Sequence, residues 1–218
     1  MPDNTQGAHA PGTLDTAALR RKLTRRVWWT GIRNGGIYAI MALGGTSLGA
    51  DLTRAGLSWV FVVMGPCVFI GILGFLATLR SIPVAVIITR SCRKTLAQYS
   101  FEEFWPQITK VDAADATKGR PKKMTLTLRT AEGQASPLMR MDPVPPPVAW
   151  RNPWPKGIEN GVYVAGDLPF GAVGYVPSSG AFFLMQPEDW DTTAHDRKQA
   201  APDRLTRAQD ADLTRRII

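Results

Sequence analysis

Few residues of this chain could do chemistry, and their placement excludes more than it allows. Histidine occurs twice, as His9 and His195, both in polar terminal stretches. No core-forming region therefore has an imidazole to act as a general base or to ligate a metal, which removes the commonest hydrolase and zinc designs. Cysteine also occurs twice. Cys67 stands inside a long apolar run and reads as a small apolar residue, while Cys92 stands among cations that could lower its pKa. A phosphatase loop would need an arginine six positions later, where the chain has Gln98, so Cys92 reads as a plain surface thiol. Residues 31–36 set glycines beside Arg33, but no Gly-Lys-Ser/Thr follows and the stretch leads into an apolar run, so it is not a phosphate loop. Asp167, in GVYVAGDLPFG, is an acidic residue in a glycine-framed turn and reads as a backbone cap. No catalytic residue, cofactor or metal is expected, and the chain is read as a non-enzyme.

What could position any such residue depends on where charge and apolar sequence fall. The first 100 residues hold 11 Lys/Arg against 3 Asp/Glu, a balance of +8 that equals the net charge of the whole chain. These cations bracket apolar runs: Arg20, Arg21, Lys22, Arg25, Arg26 and Arg33 precede the first, and Arg80, Arg90, Arg93 and Lys94 follow the second. A nucleic-acid binder needs its cations gathered on a folded face, whereas cations flanking apolar runs are what membrane topology requires. The expected partner is the lipid bilayer, and no nucleic acid is expected.

Ala55 to Leu79 is uncharged for 25 residues. As a helix it would span about 37 Å, enough to cross a hydrocarbon core of about 30 Å with some tilt. Asn34 to Ala50 is a shorter, glycine-rich uncharged run; with Trp28 and Trp29 at headgroup level and Arg33 snorkelling, it predicts a helix over residues 27–50. Only Asp51 to Arg54 separate the runs, so helices at 27–50 and 55–79 are predicted to form a transmembrane hairpin within residues 20–80, after a disordered tail at 1–19. Ten cations on the outer flanks against one in the turn place both termini in the cytoplasm of a multi-pass plasma-membrane protein. Gly31 and Gly35, and Gly45 and Gly49, form small-residue columns at i+4 spacing. One column would face the partner helix, leaving another for a homo-oligomer. Gly65-Pro66 predicts a mid-span kink. Apart from Cys67 no ionisable residue lies at that depth, which argues against a pore or carrier.

Residues 81–99 are predicted to form a juxtamembrane helix along the bilayer surface, beginning at Pro83. Ala85, Ile88, Leu96 and Tyr99 share one face, and Arg90, Arg93 and Lys94 point to anionic lipid headgroups from the other. A strand over 82–89 is the alternative. Over residues 100–190 the period changes to short alternating runs at 108–111, 124–130, 137–141, 162–165, 172–176 and 181–185, separated by turn chemistry. Six short strands predict a small, mostly β barrel that folds alone, SH3-like or OB-like, with a pleckstrin-like barrel as competitor. Residues 191–218 read as a charged, mostly disordered tail.

The segment DPVPPPVAWRNPWP, residues 142–155, interrupts the strands. Its consecutive prolines, Pro145 and Pro146 among them, enforce an extended conformation, and Trp150 and Trp154 are costly to leave wet. One reading is a rigid loop whose indoles cap an open barrel end. The other is a contact surface for an unknown protein partner.

The order of basic flank, hairpin, basic helix and β domain, together with GVYVAGD at 161–167, Phe170-Gly171, PSSG at 177–180 and FLMQP at 183–187, resembles uncharacterised two-helix integral membrane proteins of actinobacteria. The resemblance covers roughly residues 20–187 and implies no activity and no catalytic residue. In layout alone the chain is also similar to bacterial membrane proteins with a cytoplasmic OB-like domain. The expected function is a membrane-anchored cytoplasmic interaction or scaffold module. The alternatives are an accessory subunit of a membrane enzyme or transport complex and, more weakly, a membrane-tethered nucleic-acid binder.

Overall fold

The computed structural model describes residues 14–56, 59–112, 124–144 and 154–217. Two long helices come first, α1 at Thr16–Arg54 and α2 at Val60–Gln98. Asp15 starts α1 by accepting the Ala18 backbone N–H at 3.0 Å, which satisfies one of the free donors of the first turn. At 39 residues each, both helices are about 58 Å long, well beyond a bilayer core. They pack side by side and antiparallel, with Gly45 against Val68, Gly49 against Met64 and Gly71 against Ala42.

The separate surface helix predicted for residues 81–99 is corrected: this stretch is the continuation of α2, which runs through both Pro66 and Pro83. A proline inside a helix removes one donor and crowds the preceding turn. Here the turns on either side are held by packing, against α1 before Pro83 and against the β domain after it. Among the described residues α2 has the one helix segment long and apolar enough to cross a membrane, with a mean hydropathy of 2.0. Its side chains point outward, Phe69, Ile70 and Leu76 being more than half exposed.

Seven strands follow: β1 Glu103–Trp105, β2 Gln107–Asp112, β3 Met124–Arg129, β4 Met139–Val144, β5 Val162–Asp167, β6 Gly171–Val176 and β7 Ala181–Pro187. Each of the six predicted runs overlaps one strand, with 124–130 running one residue past β3 and 137–141 beginning two residues before β4, while β1 has no counterpart among them. The strands form one antiparallel sheet in the order β1-β5-β6-β7-β4-β3-β2. Its two ends, β1 and β2, are separated in the chain only by Pro106. One bent strand thus pairs with β5 before the proline (Trp105 with Val162) and with β3 after it (Gln107 with Arg129). The sheet is in this way nearly closed into a barrel, which leaves little free edge.

Both faces of the sheet are apolar. Phe183 and Met185 of β7, with Leu126, Leu128, Met141 and Val162, fill the barrel interior. Phe182 and Leu184, on the opposite face, pack with Val173 and Tyr175 against Leu19 and Leu23 of α1 and Ile88, Cys92 and Leu96 of α2. The helix pair therefore supplies one wall of the β domain's second core. Residues 191–217 are not a disordered tail. Helices α3 (Ala194–Lys198) and α4 (Pro202–Asp210) fold back, and Ala208, Ala211 and Leu213 are buried around Phe170. A boundary at 100 or 190 therefore cuts through shared cores.

Candidate functional site

Of the four residues singled out for partner contact, Trp150, Pro145 and Pro146 lie outside the described residues. Trp154 is half-buried and packs on the interior cluster, of which the fully buried Ile158 is a member. Lys110 of β2 sits with its Nζ 5.4 Å from the Trp154 ring centroid and 3.5 Å from Glu159. A cation, an indole face and a carboxylate thus meet at one rim of the barrel.

The helix-packing glycines divide. A Cβ on Gly45 would stand 2.6 Å from the Val68 side chain, and one on Gly49 or Gly35 would stand 3.9 Å from Met64 or Thr78. These three therefore face α2. Gly31, one turn before Gly35 on the same side of α1, has nothing within 4 Å of such a Cβ and makes no close helix contact. Gly71 and Gly74 of α2 complete the close approach, Gly74 lying against the Tyr38 ring. Their i+3 spacing was available as a sequence signal but does not match the i+4 columns.

The three cations assigned to headgroups also separate. Lys94 is tied to Asp212 at 3.2 Å, so it anchors the C-terminal segment. Arg90 and Arg93 are exposed. Arg93 lies in an open groove of about 870 Å³ between the helices, together with Arg20, Arg21 and Arg25 of α1. Nearby, Arg26 of α1 donates to the Gly180 carbonyl in the turn between β6 and β7.

The remaining reactive groups are occupied structurally. Cys92 is not a surface thiol: it is fully buried in the core shared by helices and sheet, and that burial pushes its pKa up to about 12. A thiol so held is unreactive at neutral pH. Asp167 accepts two hydrogen bonds from Arg204 of α4, at 2.8 and 3.0 Å, rather than capping its own turn, which is closed by the Phe170 N–H to the Asp167 carbonyl. Burial, and secondarily Asp167, pushes the Tyr99 phenol up, with Arg207 and Arg204 offsetting in part. No group of three His, Cys, Asp or Glu side chains among the described residues could hold a metal ion. No family model, curated protein or solved structure matches the chain.

Proposed function

We propose that this chain is a two-helix, multi-pass protein of the plasma membrane whose β-barrel, on the cytoplasmic side, serves as a membrane-anchored interaction module. The observation that carries the reading is the continuity of anchor and barrel. α2 runs unbroken from its apolar segment to Gln98, and its last turns, with the first turns of α1, form part of the barrel's outer core. An anchor of this kind fixes both the height and the orientation of the barrel above the bilayer, which suits a surface presented to a partner.

Crossing by both helices is supported by aromatic placement. Trp28 and Trp29, about three turns inside α1, are 69% and 66% exposed, and Trp59, at the far end of the helix pair, is 64% exposed. Extending the Gly49–Met64 pairing by five residues sets Trp59 opposite Arg54. The two aromatic levels are then about 38 Å apart, which matches indoles at both interfaces of a bilayer with a core of about 30 Å. The cation asymmetry supports cytoplasmic termini. The partner-facing surface in this reading is the barrel rim around Trp154, Lys110 and Glu159.

A photo-crosslinking amino acid at Lys110, in the full chain in its native membrane, tests the module. A discrete adduct from Lys110 that is missing when the same group replaces exposed Lys198 is the expected result. Identical adduct patterns at both positions, or none at Lys110, would contradict it.

A further inference from the structure

The groove between the two helices has the features of an anion site. Arg21 and Arg25 are one turn apart on α1, Arg20 flanks them, and Arg93 reaches across from α2, above a floor that includes Leu96 and Ala97. No carboxylate lines the groove, and none of the four arginines makes an ion pair among the described residues. Elsewhere this chain does pair its cations: Lys94 with Asp212, Arg140 with Asp142, Arg204 with Asp167. Four like charges held together in a concave site repel one another and concentrate field on any anion that enters. Residues 1–13 offer little to neutralise them, since only Asp3 among them is acidic. Planar guanidinium groups favour phosphate over a simple halide because they bind two of its oxygens at once.

Height along the helices narrows the ligand. Trp28 and Trp29 mark the headgroup level in the proposed membrane reading. At helical rise Arg25 lies about 5 Å and Arg20 about 12 Å beyond Trp28, on the side away from the apolar segment. The antiparallel pairing that sets Gly45 against Val68 brings Arg93 opposite Arg20. The four guanidiniums are thus spread along the bilayer normal, starting where lipid phosphates lie and continuing into the aqueous side. A headgroup with one phosphate would engage only the upper part of that spread.

We infer that this groove binds a phosphate-rich anion, and that its source is an anionic phospholipid with at least two phosphates, of which cardiolipin is the simplest probe. The inference rests on the anchor reading above and extends it: the helix pair holds a specific lipid at its exit from the bilayer, at the point where both helices join the barrel. Basic pockets between membrane helices on the cytoplasmic side are suited to such headgroups. The ligand would bridge α1 and α2 and so stiffen the junction.

The test uses the full chain in nanodiscs of phosphatidylcholine, with cardiolipin or phosphatidylglycerol added, and native mass spectrometry of retained lipid. Cardiolipin should be retained at least tenfold better than phosphatidylglycerol. The variant Arg21→Gln/Arg25→Gln should lose about tenfold or more of that retention, as expected when two surface cations are removed. Arg129→Gln/Lys198→Gln, the same charge change on exposed parts of the β domain, should retain lipid like the parent. Arg93→Gln alone serves as a second variant if the double variant does not fold. Equal retention of both lipids, or groove variants that bind like the parent, would overturn the inference. Displacement of cardiolipin by equimolar soluble pyrophosphate would overturn the lipid source and assign the groove to a soluble anion. A protein that fails to insert into the discs would count against the anchor reading, an outcome visible separately from lipid selectivity.

Discussion

Gly174 is a residue at which barrel packing leaves no room for a side chain. It pairs across the sheet with Phe183, and a Cβ at Gly174 would clash with the Phe183 ring. Gly174→Ala should therefore cost about 1–3 kcal/mol in denaturant unfolding of the detergent-solubilised protein. Adding Phe183→Leu should recover part of that loss, because the two positions share one space; strictly additive losses would contradict the contact. Trp154 belongs to a different regime, since it is only half-buried on the interior cluster. Trp154→Ala should cost about 1–2 kcal/mol, below the roughly 3–5 of a fully packed indole. A lower melting temperature would establish the capping role, whereas an unchanged one with the Lys110 adduct lost would assign the ring to a partner.

Among the elements, the C-terminal segment gives the clearest pH-dependent behaviour. Burial alone would raise the Asp212 pKa, but hydrogen bonds from Arg215 and Lys94 outweigh it and hold the carboxyl below the usual range. An acid whose folded pKa is depressed contributes its full stabilisation above the unfolded value, about 3.9, and loses it as pH falls through the folded value. Hydrogen exchange over residues 207–214, corrected for intrinsic rates, should therefore show protection falling below about pH 4. Asp212→Asn should have low protection at neutral pH and a flatter profile; an unchanged profile would show that the Lys94 contact does not hold the segment. This docking was illegible in the sequence because residues 191–217 bury few apolar side chains, chiefly Ala208, Ala211 and Leu213, and their partner Phe170 is distant in the chain. The strands were legible because alternation and turn chemistry are local signals. β1 is only three residues long and is set off by Pro106, so it lacked a period to read. The continuous run Phe182 to Met185 does encode a strand covered on both faces. What the run could not reveal is that the second cover comes from the ends of the two long helices. A fragment cut at Ser100 and Trp190 would expose Val173, Tyr175, Phe182 and Leu184, and should self-associate in sedimentation rather than behave as a monomer.

The whole molecule reads as a helix pair and a barrel joined without a hinge, through side chains contributed by both. Leu19 and Leu23 near one end of the chain, Ile88 to Leu96 in its middle and Leu184 of β7 share a core. Displacing the helices would thus open the barrel's outer face, and the helix pair is part of the fold rather than an attachment to it. Its proposed orientation puts the turn between α1 and α2 outside the cell and the barrel inside. Single cysteines at Leu52, in the last turn of α1, and at Lys110, on the barrel, in a chain with Cys67 and Cys92 replaced by alanine, can be probed in intact cells with a membrane-impermeant maleimide. In the proposed orientation the cysteine at 52 is labelled from outside, and the one at 110 is labelled only after the membrane is permeabilised. Labelling of both positions in intact cells, or of 52 only after permeabilisation, would contradict it.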